Sequence, residues 1–223
     1  MSNNKVAGKL ELFADPISIN CRKVIAGLAL MDIDYELTKI GYFAGEQKSA
    51  AYLKINPNAK LPALRDGDLV IWESNAILQY VANKYGKTDA YPAELGTRAD
   101  VDRWLFWECG SWFASCYTYT VENCVKPILG AEPDPAILAI EDETFHKLAS
   151  ILDARLGQMR YVCGHTPTIA DIAVAAPMHL HKWQQLPLEN HSNINRWMSE
   201  LIEPAAWWRA SHVGEGFTLP GNA

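Results

Sequence analysis

Between Leu10 and Tyr85 the apolar positions change their period several times, and each change marks a new element. The run KLELFA alternates polar and apolar positions as a strand does, and CRKVIAGLALM then repeats every three or four residues as a helix does. DYELTKI predicts a second strand. EQKSAAYLKI predicts a short helix ended by Asn56-Pro57, and LPALRDGDLVIW predicts two extended runs folded back around Asp66-Gly67-Asp68. SNAILQYVANKYG predicts a helix with Ser74 at its N-cap and Gly86 as its stop. The order is βαβ-α-ββα. From Thr97 onward strand patterns vanish and long amphipathic segments follow. The longest is RADVDRWLFWECGSWFASCYTYTVENCV; Pro133 and Pro135 interrupt, and ILAIEDETFHKLASILDARLG closes at Gly157. Thr168 and Asp171 form a capping box, so a buried helix is expected from near Ile169. The pattern divides the chain into an α/β domain over residues 1–86 and an all-helical domain over residues 97–223.

The 223 residues are 49% hydrophobic and 21% charged, a balance that suits packed domains and disfavours disorder. A formal charge of −6 with scattered Lys and Arg argues against a nucleic-acid partner. No apolar run reaches the roughly 18 residues of a membrane span. The opening MSNNKVAGK lacks a signal-peptide core, so a cytoplasmic location is expected. The cysteine count, five, is odd, and with no CxxC pair it favours reduced thiols over a disulfide framework. Cys109, Cys116 and Cys124 recur at a spacing that puts them on one helical face, as small core side chains without metal-ligand partners. His179 and His181, two positions apart, point to different helix faces, so no metal is expected there either.

The chemistry concentrates where β gives way to α. In DPISINCRKV, Asp15-Pro16 breaks the strand, and Ser18, Asn20, Cys21 and Arg22 gather at a helix start whose free N–H groups favour an anion. NPNAKLPAL followed by ESNAILQYV resembles the glutathione-site signature of the soluble glutathione transferases. GHTPTIADI is similar to the helix cap of that family's second domain, so the resemblance spans essentially the whole chain. Ser18 stands four residues before Arg22, as in theta- and delta-type, bacterial-like members, although Asn20 replaces a proline common there.

The resemblance implies a thioredoxin-like first domain, glutathione as co-substrate without a metal, and a homodimer with its active site near the subunit boundary. It implies a cis Leu61–Pro62 bond that lets Leu61 pair with the extended peptide, and it places Gln47 and Lys60 at the glycine carboxylate. Chemically, Ser74 and the N–H groups behind it suit a carboxylate and Glu73 suits an ammonium, so this pair fits a γ-glutamyl end. Ser18 is the expected thiolate donor and Asn20 its competitor, while Cys21 is expected to be structural. Trp104, Trp107, Trp112, Phe113 and Tyr117 form a stripe that a bundle must bury, with Trp107, Phe113 and Tyr117 the candidate walls for a hydrophobic electrophile. The expected reaction is conjugation of glutathione to an apolar electrophile. A glutathione-dependent dehalogenase, peroxidase or ether-cleaving lyase on the same fold stands as an alternative, as does a non-catalytic binding or assembly module.

Overall fold

The computed structural model describes residues 9–211. Strand β1 (Leu10–Ala14) leads through a turn to α1 (Ile19–Leu30), and β2 (Tyr35–Lys39) returns parallel to β1. After α2 (Ala50–Leu53), β3 (Ala63–Asp66) and β4 (Leu69–Trp72) form the hairpin and α3 (Ser74–Lys84) closes the unit. The sheet order is β2-β1-β3-β4, with β3 antiparallel to both its neighbours. The hairpin turns at Gly67, whose φ of 59° is open to glycine without a Cβ clash. Helices α1 and α3 pack together, and they approach so closely at Gly27 that a Cβ there would meet Leu78 Cδ2 at 2.2 Å.

The second half is helical. A rod over residues 95–128 is made of α4 (Leu95–Trp107), α5 (Phe113–Thr120) and α6 (Lys126–Ile128), joined by two π-helical turns, Glu108–Trp112 and Val121–Val125. Then follow α7 (Pro135–Gln158), α8 (Ile169–Ala175), α9 (His181–Gln184), α10 (Ser192–Arg196) with a π-helical extension Trp197–Ile202, and α11 (Ala206–Arg209). Every residue of α8 is buried, and α8 touches α1, α3 and α4, so one helix fastens the two halves. The capping box at its start is formed as expected: Asp171 accepts from the Thr168 N–H at 2.9 Å, and Thr168 Oγ1 accepts from the Ala170 N–H.

A second fastening is ionic. Lys23 Nζ on α1 lies 2.9 Å from Glu108 Oε2 on the first π turn, with side chains 2% and 0% exposed. Asn75 on α3 joins them, accepting from Lys23 at 3.2 Å and donating to Glu108 Oε2 at 3.1 Å.

Four local expectations are corrected. Ser74 is the first residue of α3 and not its N-cap; Glu73 takes the cap position with φ 75° and ψ 114°. The segment EQKSAAYLKI is split by extended Ser49 into a 3₁₀ turn, Glu46–Lys48, and α2, because the Ser49 hydroxyl caps α2 by accepting from the Tyr52 N–H. Gly157 lies inside α7, which continues to Gln158. Cys109 is exposed while Cys116 and Cys124 are buried. A π turn adds a residue to the helix between Cys109 and Cys116, which swings the earlier cysteine about 100° off the common face.

Candidate functional site

The strand register gathers the candidate residues at one end of the sheet. Phe13 opposes Ala63 and Ala63 opposes Trp72. One step further along both ladders lie the turn after β1, the Leu61–Pro62 pair and Glu73. The Leu61–Pro62 peptide is cis, and both residues are buried.

The turn is built from Asp15. Its carbonyl accepts the Ser18 N–H at 2.9 Å and its Oδ1 accepts the Ile17 N–H at 3.2 Å. Arg22, 7% exposed, donates from Nε to the Pro16 carbonyl at 2.9 Å, and burial lowers its pKa to about 10. Arg22 therefore braces the turn. Ser18 occupies the N-cap of α1 with extended φ and ψ, yet its side chain caps no backbone N–H. Burial pushes the Cys21 thiol, one turn into the helix, up to about 12 and thus keeps it protonated. Ser18 is half-buried, and so is Asn20 two residues on.

Asn20 Oδ1 accepts from Ser74 Oγ at 3.3 Å, which ties the start of α1 to the start of α3. Ser74 is 8% exposed at the first helical position, behind exposed Glu73. The backbone of Glu73 lies outside the regions that side-chain-bearing residues ordinarily occupy, a cost of about 1–3 kcal/mol that marks residues held in place for a task. The starts of two helices thus meet, each with first-turn N–H groups that carry partial positive charge.

Lys60 is exposed at the side chain, but its carbonyl is pinned by Tyr52 Oη and Asn56 Nδ2, each at 2.8 Å. Tyr52 and Asn56, both 2% exposed, therefore shape this corner of the site, and the motif alone did not single them out. Gln47, on the 3₁₀ turn, is 6% exposed with no partner for Oε1 among the described residues. That is an unmet acceptor beside a free amide.

The aromatic stripe divides in two. Trp107 is held between Trp104, edge-on at 5.0 Å, and Trp112, stacked at 5.4 Å, and Trp112 continues onto Phe145 at 5.2 Å. This column belongs to the helical core. Phe113 and Tyr117 stack on each other at 5.6 Å outside it, with Tyr117 41% exposed. All five cysteines lie among the described residues as free thiols, and no described cluster of His, Cys, Asp or Glu has the makings of a metal site.

Comparison with known proteins follows the same division of the chain. A family model described as glutathione S-transferase, N-terminal domain, matches residues 8–83, and its C-terminal counterpart matches residues 118–204. The chain is 32% identical over 164 residues to glutathione S-transferase 3 of Zea mays, covering 73% of each. A structure of glutathione S-transferase-I bound with lactoylglutathione superposes with TM-score 0.81 at 26% identity, over 92% of this chain and 98% of that one. A delta-class glutathione transferase of Nilaparvata lugens gives TM-score 0.77 at 26% identity, over 90% and 92%.

Proposed function

The chain belongs to the glutathione S-transferase family, and from that premise we propose that it conjugates glutathione to hydrophobic electrophiles at the meeting point of α1 and α3. The observation that carries this is the Asn20–Ser74 bond, which ties the start of α1, whose N-cap Ser18 caps no backbone N–H, to the start of α3.

In this reading Glu73 takes the ammonium and Ser74 with the α3 N–H groups takes the carboxylate of the γ-glutamyl end. The Leu61–Pro62 edge pairs with the peptide, and Gln47 and Lys60 receive the glycine carboxylate. The sulfur then lies at the start of α1. A free thiol has a pKa near 8.5, and lowering it by about two units takes roughly 2.7 kcal/mol of preference for the thiolate. A hydroxyl donor to an anion supplies about 1.5–3 kcal/mol and a helix N-terminus about 0.3–1. Ser18 and α1 together are sufficient, and Cys21, protonated, does not compete as a nucleophile. Phe113 and Tyr117 wall the electrophile, with Trp107 behind them in the core column.

The finer assignments belong to the same proposal. The Ser18-to-Arg22 spacing is what supports a theta- or delta-like, bacterial-type reading; the delta-class structure of Nilaparvata lugens and the lactoylglutathione-bound structure match the chain about equally well, so the likeness in fold leaves the class open. The reading takes residues 1–86 as the glutathione domain and residues 97–223 as the electrophile domain, of which residues 1–8 and 212–223 lie outside the described residues. Free thiols suit a cytoplasmic setting, and no described helix is long and apolar enough to cross a membrane. A homodimer accords with exposed Leu69 and Trp72 on the edge strand and Leu95 and Phe106 on α4.

Retention of the full chain on immobilised glutathione, followed by conjugation of a generic aryl halide, tests the reading. Conjugate formation supports a transferase, retention without turnover a binding module, and failure of both removes the proposal.

A further inference from the structure

Two histidines of the helical half hold one another. His146 on α7 and His191 at the N-cap of α10 face each other with Nδ1 of the first 2.9 Å from Nε2 of the second, their rings 5.2 Å apart and inclined by 30°. A bond between two imidazole nitrogens takes one N–H and one bare nitrogen, so at least one ring stays neutral while it lasts. Nε2 of His146 lies 3.6 Å from Asp142 Oδ1, one helical turn earlier, and the His146 side chain is 35% exposed. An added proton on His146 therefore meets a carboxylate and leaves Nδ1–H donating to His191, now as a charge-assisted bond. His191 is the opposite case. It is 5% exposed, and burial first and His146 second outweigh the Asp153 and Glu189 carboxylates, so its pKa lies below the ordinary histidine value. A second proton on the pair sets two N–H groups head to head.

What the pair closes is the start of α10. Asp153 on α7 accepts the Asn193 and Ile194 N–H groups at 2.9 and 3.1 Å and Asn193 Nδ2 at 2.9 Å, and the His191 carbonyl accepts the Asn195 N–H at 3.0 Å. Helix α7 thus grips α10 through one carboxylate and one histidine bond. We propose that His146–His191 is a pH-sensitive clasp between α7 and α10, closed while the pair carries at most one added proton and released by the second, which loosens the start of α10 and the π-helical extension Trp197–Ile202. The clasp is independent of what the first domain binds. Because His191 is lowered in the fold, its stabilisation is present in full above the unfolded value of about 6.5 and is lost as pH falls through the folded value. Two further groups act on the same segment. Asp171 on α8, bonded to the Trp197 indole, is raised by burial and so loses its contribution as pH rises; His181 on α9, 3.7 Å from Glu203 Oε1 just past the extension, is lowered by burial and changes in the same direction as His191. Both are common to wild type and clasp variants, so the difference between them isolates the clasp.

The test is hydrogen exchange of residues 193–202 in the full chain between about pH 5 and 8, corrected for the intrinsic rate at each pH, beside His191→Gln and His146→Gln, whose amides stay neutral throughout. Protection of the wild type relative to either variant should fall on acidification below about pH 6.5 by up to about tenfold per pH unit, the slope of one proton taken up on opening. The imidazole resonances of the wild type give a reading that does not depend on how well the variants fold: the pair should titrate in two separated steps, the later one below the ordinary histidine value. In His146→Gln, the remaining histidine should titrate in one step at higher pH, its charged neighbour being gone. A difference in protection that stays flat with pH overturns the clasp, as do wild-type resonances in which both histidines titrate together at the ordinary value.

Discussion

Replacing Ser18 with alanine removes the one hydroxyl at the α1 N-cap that serves no backbone N–H. Bound glutathione should then titrate at higher pH, seen as thiolate absorbance, and turnover should fall by up to about 10²-fold with binding little changed. Asn20→Ala is the control: its oxygen is already taken by Ser74, so its loss should disturb γ-glutamyl binding more than thiol ionisation. If the pH profile follows Asn20 and ignores Ser18, the donor is Asn20. Glu73→Ala and Ser74→Ala should each weaken glutathione by about 1.5–3 kcal/mol in calorimetry, with the circular dichroism unchanged. Unaltered affinity in both would remove the γ-glutamyl end from this place. The places of these residues at two helix starts were legible because helix-start signals are local. Ser74 was read one position off because the positive φ of Glu73 comes from the strand-to-helix corner and has no signature in a glutamate. Tyr52 and Asn56 escaped because they act through the carbonyl of Lys60, a contact that no side-chain pattern announces.

Among the elements, α8 depends on Asp171, which is wholly buried yet accepts from the Val162 and Thr168 N–H groups, the Thr168 hydroxyl and the Trp197 indole. Burial, the largest influence, raises its pKa to about 6 against those four donors. A folded-state pKa above the unfolded value of about 3.9 means stability that is full below pH 3.9 and lost as pH rises through 6, about 3 kcal/mol in all. The unfolding free energy of wild type minus that of Asp171→Asn should therefore shrink by about that amount between pH 3.5 and pH 7 in urea titrations. A gap that widens instead means the donors hold the carboxylate ionised. The sheet, the hairpin and this cap were readable, since each follows from a fixed period or a short-range bond. The π turns were not, because a reading at 3.6 residues per turn carries a single phase through the whole rod, whereas the added residues reset it.

At the scale of the molecule, the Lys23–Glu108 pair sits dry where the two halves meet. Glu108→Ala strands a buried ammonium and should cost about 3–5 kcal/mol in urea denaturation, whereas Lys23→Met with Glu108→Leu should recover most of it. Equal losses in the single and double variants would show that the sites matter separately. Nothing in the sequence connected the two, which are 85 positions apart and belong to segments with unrelated periodicity. The pair also bears on how such chains can be recombined. A chimera joining the first half of this protein to the helical half of a relative receives one charge of a couple whose other member stayed behind. Unless position 108 of the donor happens to answer Lys23, the graft begins with an uncompensated ion at its seam, so functional hybrids recovered from a shuffled library should carry residues 23 and 108 from the same parent.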